Sequence, residues 1–411
     1  MLALRYYGSI TAQMWARSLG RRSPEAATST MSPLRLSNVP APKLPGPDWL
    51  RLRPRLSGIC GSDLAALRGQ ASLYLATLTS FPFVPGHEVV AEVTASDREV
   101  TFTPGQRVVL EPALGCLVRG LDPLCRNCAS GLPGLCERID EGAIGTGLQT
   151  GFCRDTSGGW SQGLVAHVSQ LHPIPDSMDD ATAVLVEPLA CCIHAVLGAG
   201  LEDDGEVLVL GCGAVGLLTI VALARLHPKV RILASAKYPH QAELAMSLGA
   251  ERVVKPSSLQ QRVRYWSSAR RITSAFGPSV LLGGFATVFD CVGSSASLSD
   301  AVGCARARGQ VVMVGMPGEV RVDLAAVWQR ELSVRGTYAY GLEVKAPAPR
   351  LTFTMALEML QEVSLGHLVG PEFGLRQYRE AMSQALDAGR LGLTKIVFRP
   401  EQETSQMDAG S

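Results

Sequence analysis

The sequence lacks an excess of charge of either sign: its 411 residues carry 38 basic and 37 acidic side chains. That balance argues against a nucleic-acid partner and against a polybasic membrane surface. Internal repeats are absent as well, which excludes solenoids and propellers. Global disorder is excluded by the 46% of apolar residues, enough to bury large cores. Disulfide arithmetic fails too, because the cysteines number eleven and several lie in apolar runs such as "EPLACCIHAV". Scattered, unpaired thiols suit a reducing cytoplasm. One uncharged run, Val207 to Ala224, reaches the eighteen residues of a membrane helix, but Gly211, Gly213 and Gly216 break it into a strand, a tight turn and a helix. The first 24 residues contain no acid and four arginines, Arg5, Arg17, Arg21 and Arg22, as organelle transit peptides do. The same stretch opens with "LALRYYG", which reads as a β-strand, and the strand is the favoured reading.

What is present divides by texture. The first part is rich in Pro and Gly with short apolar runs such as "HEVVAEV" and "QRVVLEP", the signature of short strands and turns. From "EPLACCIHAVLGAG" onward, apolar strands alternate with amphipathic stretches: "EVLVLG", "AVGLLTIVALARL", "KVRILASA", "HQAELAMSLGA", "ATVFDCVG", "GQVVMVGM". Alternation of this kind predicts βαβ units and a doubly wound parallel sheet buried on both faces, an α/β fold. Strand-like texture returns after Arg330. The expected domains are residues 1–185, a second domain at 186–328, a return to the first at 329–400, and a polar tail at 401–411.

"VLVLGCGAVGLL" sets Gly211, Gly213 and Gly216 in the spacing G-x-G-x-x-G between a buried strand and an apolar helix. The first glycine permits the tight turn, the second the approach of a pyrophosphate, and the third the packing of helix on strand. Ala214 and Val215 open that helix, whose free N–H groups favour phosphate. A dinucleotide is therefore the expected cofactor. NAD requires an acid at the end of the next strand, yet Ala236 stands there, followed by Lys237 and, nearby, His240. A missing carboxylate beside a cation tilts the expectation slightly from NAD to NADP.

Cys60 in "SGICGSDLAAL" and His87 in "FPFVPGHEVVAEV" are the two residue types that most often hold zinc. With these motifs, "EPLACCIHAV", "VLGCGAVGLL", "DCVGS" and "GQVVMVGMPG" in this order, the chain from about Leu56 onward resembles the zinc-dependent medium-chain dehydrogenase/reductase family of alcohol, polyol and threonine dehydrogenases. The resemblance implies a β-rich GroES-like catalytic domain and a Rossmann domain, with the active site between them. By position it implies Cys60, His87 and Glu187 as ligands of a catalytic zinc, and Glu88 as a direct or transient one. Asp63 matches the acid that orients the ligand imidazole, and Ser62 the hydroxyl that takes the substrate proton. Ala65 stands where many members have a His that passes this proton on, so the exit route is open.

The run "CLVRGLDPLCRNCASGLPGLC" holds Cys116, Cys125, Cys128 and Cys136 with eight, two and seven residues between them. Four thiols so close read as a metal knot, a disulfide framework or a redox centre. By the resemblance they are a structural-zinc lobe at about 112–140, in which relatives space their cysteines by two, two and seven. "LVRGLDPL" then reads as a six-residue enlargement of one loop, with Cys116 preferred over Asp122 as the first ligand.

The expected function is hydride transfer between an alcohol, polyol, sugar or amino-alcohol and NAD(P), with two zinc ions per chain and a homodimer or homotetramer as assembly. The partner is a small-molecule alcohol or carbonyl. The alternatives are a zinc-free quinone or enoyl reductase of the same superfamily and a non-catalytic dinucleotide-binding redox sensor. Cys191, Cys192, Cys212 and Cys291 read as core residues. His167 and His194 lack a ligand-spaced partner, and Lys395 reads as a surface strand lysine.

Overall fold

The protein was analysed as a computed structural model that describes residues 1–20, 27–95, 102–202, 204–344 and 348–401. The expected tail, from residue 402 on, lies outside the described residues. The chain forms two compact units. One comprises Met1–Glu187, Ala339–Leu342 and Arg350–Ser411, and the other Pro188–Tyr338 and Glu343–Pro349.

The first unit is built on a largely antiparallel sheet. Its order is Val369–Phe373, Lys395–Phe398, Trp49–Gly58, Val89–Ala95, Arg107–Leu110 and Leu171–Pro173, with Leu164–His167 also paired to Trp49–Gly58. The strand "WLRLRPRLSG" buries Leu50, Leu52 and Leu56 and leaves Arg51, Arg53 and Arg55 at least partly open, the period-two pattern of a half-buried strand. Pro54 has no N–H to give the ladder, and the register shifts between Pro54 and Leu56. Leu50, Leu52, Ala91, Val93, Val108, Leu110 and Leu164 form the core of this sheet.

"LALRYYG" is a strand: Leu2–Tyr6 pairs antiparallel with Leu34–Asn38. Tyr6 stacks on Phe83 at 5.1 Å between ring centroids and donates its hydroxyl to the Ala66 carbonyl. The N-terminal strand thereby buttresses the helix Gly61–Leu67 that carries Ser62 and Asp63.

In the second unit six parallel strands lie in the order Arg252–Val254, Arg231–Ser235, Glu206–Leu210, Phe285–Asp290, Ala305–Met313 and Ser333–Gly336. In chain order this is 3-2-1-4-5-6, the dinucleotide-binding arrangement. "ELSVRGTYAYG" was expected to belong to the first domain from 329 on. Instead Ser333–Gly336 pairs in parallel with Ala305–Met313 as the edge strand of this sheet, so the chain first returns to the other unit at Ala339.

The enlarged loop of the cysteine lobe has a physical account in Arg119, which is 1% exposed. Its guanidinium donates to the carbonyls of Leu114, Glu141, Ile144, Gly145 and Gly147 over 2.8–3.3 Å. Five N–H donors meet five acceptors, the full capacity of an arginine. Replacing Arg119 by Met should lower stability by about 3 kcal/mol in urea unfolding, because buried carbonyls lose their partners. A loss within the ~0.5 kcal/mol of an ordinary surface change would refute this account of the loop.

Candidate active site

Cys60 and His87 come together because two local structures hold them. Cys60 is the N-cap of the helix Gly61–Leu67, and Asp63, three residues on, accepts the Cys60 N–H at 3.0 Å. That reciprocal cap fixes the thiol-bearing residue at the end of the strand Trp49–Gly58. His87 and Glu88 immediately precede the strand Val89–Ala95, which pairs with Trp49–Gly58. One ligand atom each from Cys60, His87 and Glu88 lie within 4.8 Å of one another.

Beneath them sits Lys395, 3% exposed. The residue expected on the surface is instead buried, because Lys395–Phe398 is flanked by strands on both sides and all four of its residues are buried. Its Nζ donates to both carboxylate oxygens of Glu88, at 2.6 and 2.7 Å. Gly58 makes the room: a methyl group there would lie 1.8 Å from Glu88 Oε2.

The polar atoms left over point to an added cation. Asp63 Oδ1, His87 Nδ1 and Ser62 Oγ are buried without hydrogen-bond partners. Asp63 Oδ1 stands 3.7 Å from His87 Nδ1, close enough to act by charge but too long for a hydrogen bond. Burial pushes the Asp63 carboxyl up to about 6, against the pull of His87 and of the Cys60 N–H. Burial would lower His87, but Asp63, Cys60 and Glu187 together raise it well above the ordinary histidine value. Acids and a thiol crowd one imidazole and one lysine, an excess of electron-pair donors that a cation would balance. A zinc ion fits this donor set and supplies the missing charge.

Glu187 is 7% exposed and near enough to raise both His87 and Lys395, yet it is not part of the tight cluster of three. Cys116, Cys125, Cys128 and Cys136 form a second cluster, again with ligand atoms within 4.8 Å of one another, and Asp122 is not in it. Cys136 Sγ lies 3.6 Å from Cys116 Sγ and 4.0 Å from Cys125 Sγ. A tetrahedron with metal–sulfur bonds of ~2.3 Å has edges of about 3.8 Å. Backbone N–H groups of Cys116, Cys125 and Arg138 point at the sulfurs of Cys128, Cys116 and Cys136, over 3.3–3.4 Å. Burial raises the Cys125 thiol, but donors from Glu137, Cys128 and Cys116 outweigh it and bring it down to about 6. Four closed thiol positions fit a structural zinc, and all eleven cysteines are free of disulfides.

In the second unit Gly211, at φ 89°, turns the chain after Glu206–Leu210, and Gly213 caps the helix Ala214–Leu226. A methyl group at Gly216 would lie 1.8 Å from the Gly211 carbonyl oxygen, whereas one at Gly213 would meet nothing within 4 Å. The turn is tight on the protein side and open where a phosphate would approach. Ala236 follows the strand Arg231–Ser235, and the Lys237 ammonium stands 5.2 Å from the Tyr238 ring, which stacks on His240.

Residues 46–176 match the family described as alcohol dehydrogenase GroES-like domain, and residues 214–362 that described as zinc-binding dehydrogenase. The chain belongs to the zinc-dependent medium-chain dehydrogenase/reductase family. Among curated relatives, sorbitol dehydrogenase of Arabidopsis thaliana is 28% identical over 358 residues, 86% of this chain and 89% of that one. L-Idonate 5-dehydrogenase of Vitis vinifera is 28% identical over 77% of this chain and 78% of that one. A Sinorhizobium meliloti protein described as a zinc-binding dehydrogenase, solved bound to NADP, superimposes with a TM-score of 0.69 at 25% identity, covering 97% and 99% of the two chains.

One feature of this dehydrogenase was signalled only faintly by its sequence. Lys395 is the single charge in the apolar run "KIVF", and the buried strand on both sides of it was the available clue. His194 also has a partner, Glu343, a residue distant in sequence. The bland readings of Cys192 and Cys212 agree with their burial and their bonds to the Val215 and Ser235 carbonyls. Lys395→Met, which strands Glu88 as a buried unpaired charge, should cost about 3–5 kcal/mol in urea unfolding. The double variant Lys395→Met/Glu88→Gln should recover most of it; additive losses would show that the pair is not coupled.

Proposed function

We propose that this dehydrogenase oxidises a hydroxyl of a small polar, polyhydroxylated substrate, and reduces the carbonyl in reverse, using Cys60, His87 and Glu187 to hold a catalytic zinc. The observation that carries the reading is the donor cluster Cys60–His87–Glu88, with orphaned buried atoms of Asp63, His87 and Ser62 around it. Zinc supplies a Lewis acid that acidifies the substrate hydroxyl, and the nicotinamide cofactor accepts the hydride. Asp63 orients His87 and sharpens its basicity toward the metal. Ser62 Oγ, buried without a partner, relays the substrate proton by accepting it while giving up its own to water, because Ala65 has no side-chain group to receive it. Lys395 donates to both carboxylate oxygens of Glu88 beside the site. Cys116, Cys125, Cys128 and Cys136 hold a second, structural zinc.

The polyol preference rests on Glu187 at the third ligand position and on relatives named for sorbitol, L-idonate and D-altritol. NADP over NAD rests on Ala236, Lys237 and His240, where no carboxylate awaits a ribose hydroxyl. A cytoplasmic location rests on eleven cysteines outside any disulfide. A homodimer or homotetramer agrees with the open edge strand Ser333–Gly336 and its exposed neighbours Leu324 and Trp328, the latter 83% exposed. A zinc-free reductase or a redox sensor has no use for an open site beside a closed one.

A panel of alcohols and polyols with NADP and NAD, followed by nicotinamide absorbance, tests the reaction; no turnover with any of them would count against it. Cys60→Ala should lose one of two zinc ions and reduce turnover to background while cofactor affinity stays unchanged. Retained turnover would remove Cys60 from the mechanism. Lys237→Glu should shift kcat/KM from NADP toward NAD by about tenfold or more, and an unchanged ratio would show that Lys237 does not face the cofactor.

A further inference from the structure

Charge summed over the whole chain conceals a local excess. The thirty-eight residues from Arg252 to Phe289 contain no Asp or Glu and six cations: Arg252, Lys255, Arg262, Arg264, Arg270 and Arg271. The rest of a chain whose net charge is +1 is therefore acidic. All six cations are exposed. The carboxylates at hand, Glu206 and Glu251, are taken by Arg231, and among the described residues none of the six is in an ion pair.

Inside this segment the strands Arg270–Ile272 and Val280–Leu282 form a hairpin with the pairs Arg270–Leu282, Arg271–Leu281 and Ile272–Val280. Leu281 is 2% exposed and belongs to the core of the parallel-sheet unit. Directly paired residues share a face and neighbouring pairs alternate. Arg270, Ile272, Val280 and Leu282 therefore make the outward face, where a water-facing hairpin would carry polar residues. Ile272, Val280 and Leu282 are 41–51% exposed, and Phe276 in the connecting loop is 96% exposed. Trp266 ends the preceding helix with Arg231 and Arg252 over its ring, at 4.6 and 5.9 Å. The hairpin leads into the start of the strand Phe285–Asp290, whereas the glycine turn follows the end of Glu206–Leu210 in the same parallel sheet. Hairpin and cofactor turn thus lie at opposite ends of the strands.

We infer that the hairpin Arg270–Leu282, with the arginines of the preceding helix, docks this protein on an anionic phospholipid bilayer. Such a surface offers acyl chains to Phe276, Ile272 and Val280 and phosphates to the arginines around them. A second copy of the chain brings the same cations face to face, and a nucleic acid has no use for an aliphatic face. Docking there leaves the glycine turn clear.

The test is flotation of the full-length, zinc-loaded protein with vesicles of phosphatidylcholine, with or without about one-third phosphatidylserine, at ~0.1 M salt. The bound fraction should be roughly tenfold greater on the anionic vesicles and should fall at ~1 M salt. Phe276→Ser with Ile272→Ser, and separately Arg264→Glu with Arg270→Glu, should each lower it about tenfold, with circular dichroism unchanged because all four side chains are exposed. Equal or absent flotation on the two vesicle types, or variants that float like the parent, would overturn the inference. So would binding that the arginine variant loses and the apolar variant keeps while an oligonucleotide competes, which would mark a nucleic-acid site. A change of sedimentation coefficient in the apolar variant without vesicles would mark an interface between copies and overturn it too.

Discussion

A buried ammonium beneath a cluster of acids and a thiol is the constraint on which the catalytic unit depends. Lys395 binds both oxygens of Glu88, and burying either charge alone is costly. The pair dictates its surroundings. Gly58 has no side chain because the carboxylate occupies the space, and the strand Lys395–Phe398 must lie beside Trp49–Gly58 to deliver the lysine. With Glu88 paired to Lys395, Ser62, Asp63 and His87 still leave orphaned atoms. A single divalent ion completes the balance, which is why an open catalytic metal position makes electrostatic sense here.

The two clusters illustrate opposite uses of the same chemistry. At Cys60 and His87 the donors are mixed, and the buried hydroxyl of Ser62, two residues from Cys60, has no hydrogen-bond partner. In the lobe four thiols close on each other, backbone N–H groups face the sulfurs, and Arg119 ties the enlarged loop to five carbonyls. The density of cysteine in "CLVRGLDPLCRNCASGLPGLC" draws attention, but its arrangement is that of a staple. The parallel-sheet unit adds the cofactor turn, tight at Gly216 and open at Gly213.

Much of this was legible in the sequence where chemistry is encoded locally. The glycine spacing and the βαβ alternation each act within a few residues of themselves, and the parallel sheet was expected from them. Three features were misread, two of them because they depend on pairing between distant segments. Lys395 is buried because its strand lies between Val369–Phe373 and Trp49–Gly58, the latter from the other end of the chain. Ser333–Gly336 has the texture of the first domain but finds its ladder in the second. The net charge of +1 hid a cationic segment, because a sum carries no position.

Anomalous X-ray diffraction from crystals of the zinc-loaded protein, measured at the zinc absorption edge, tests the central claim most directly. The account predicts two peaks per chain. One should lie at about 2.3 Å from each of the four sulfurs of Cys116, Cys125, Cys128 and Cys136, and the other should touch Cys60 and His87 with Lys395 still on Glu88. A single peak confined to the cysteine lobe, with Cys60 and His87 bare, would contradict it.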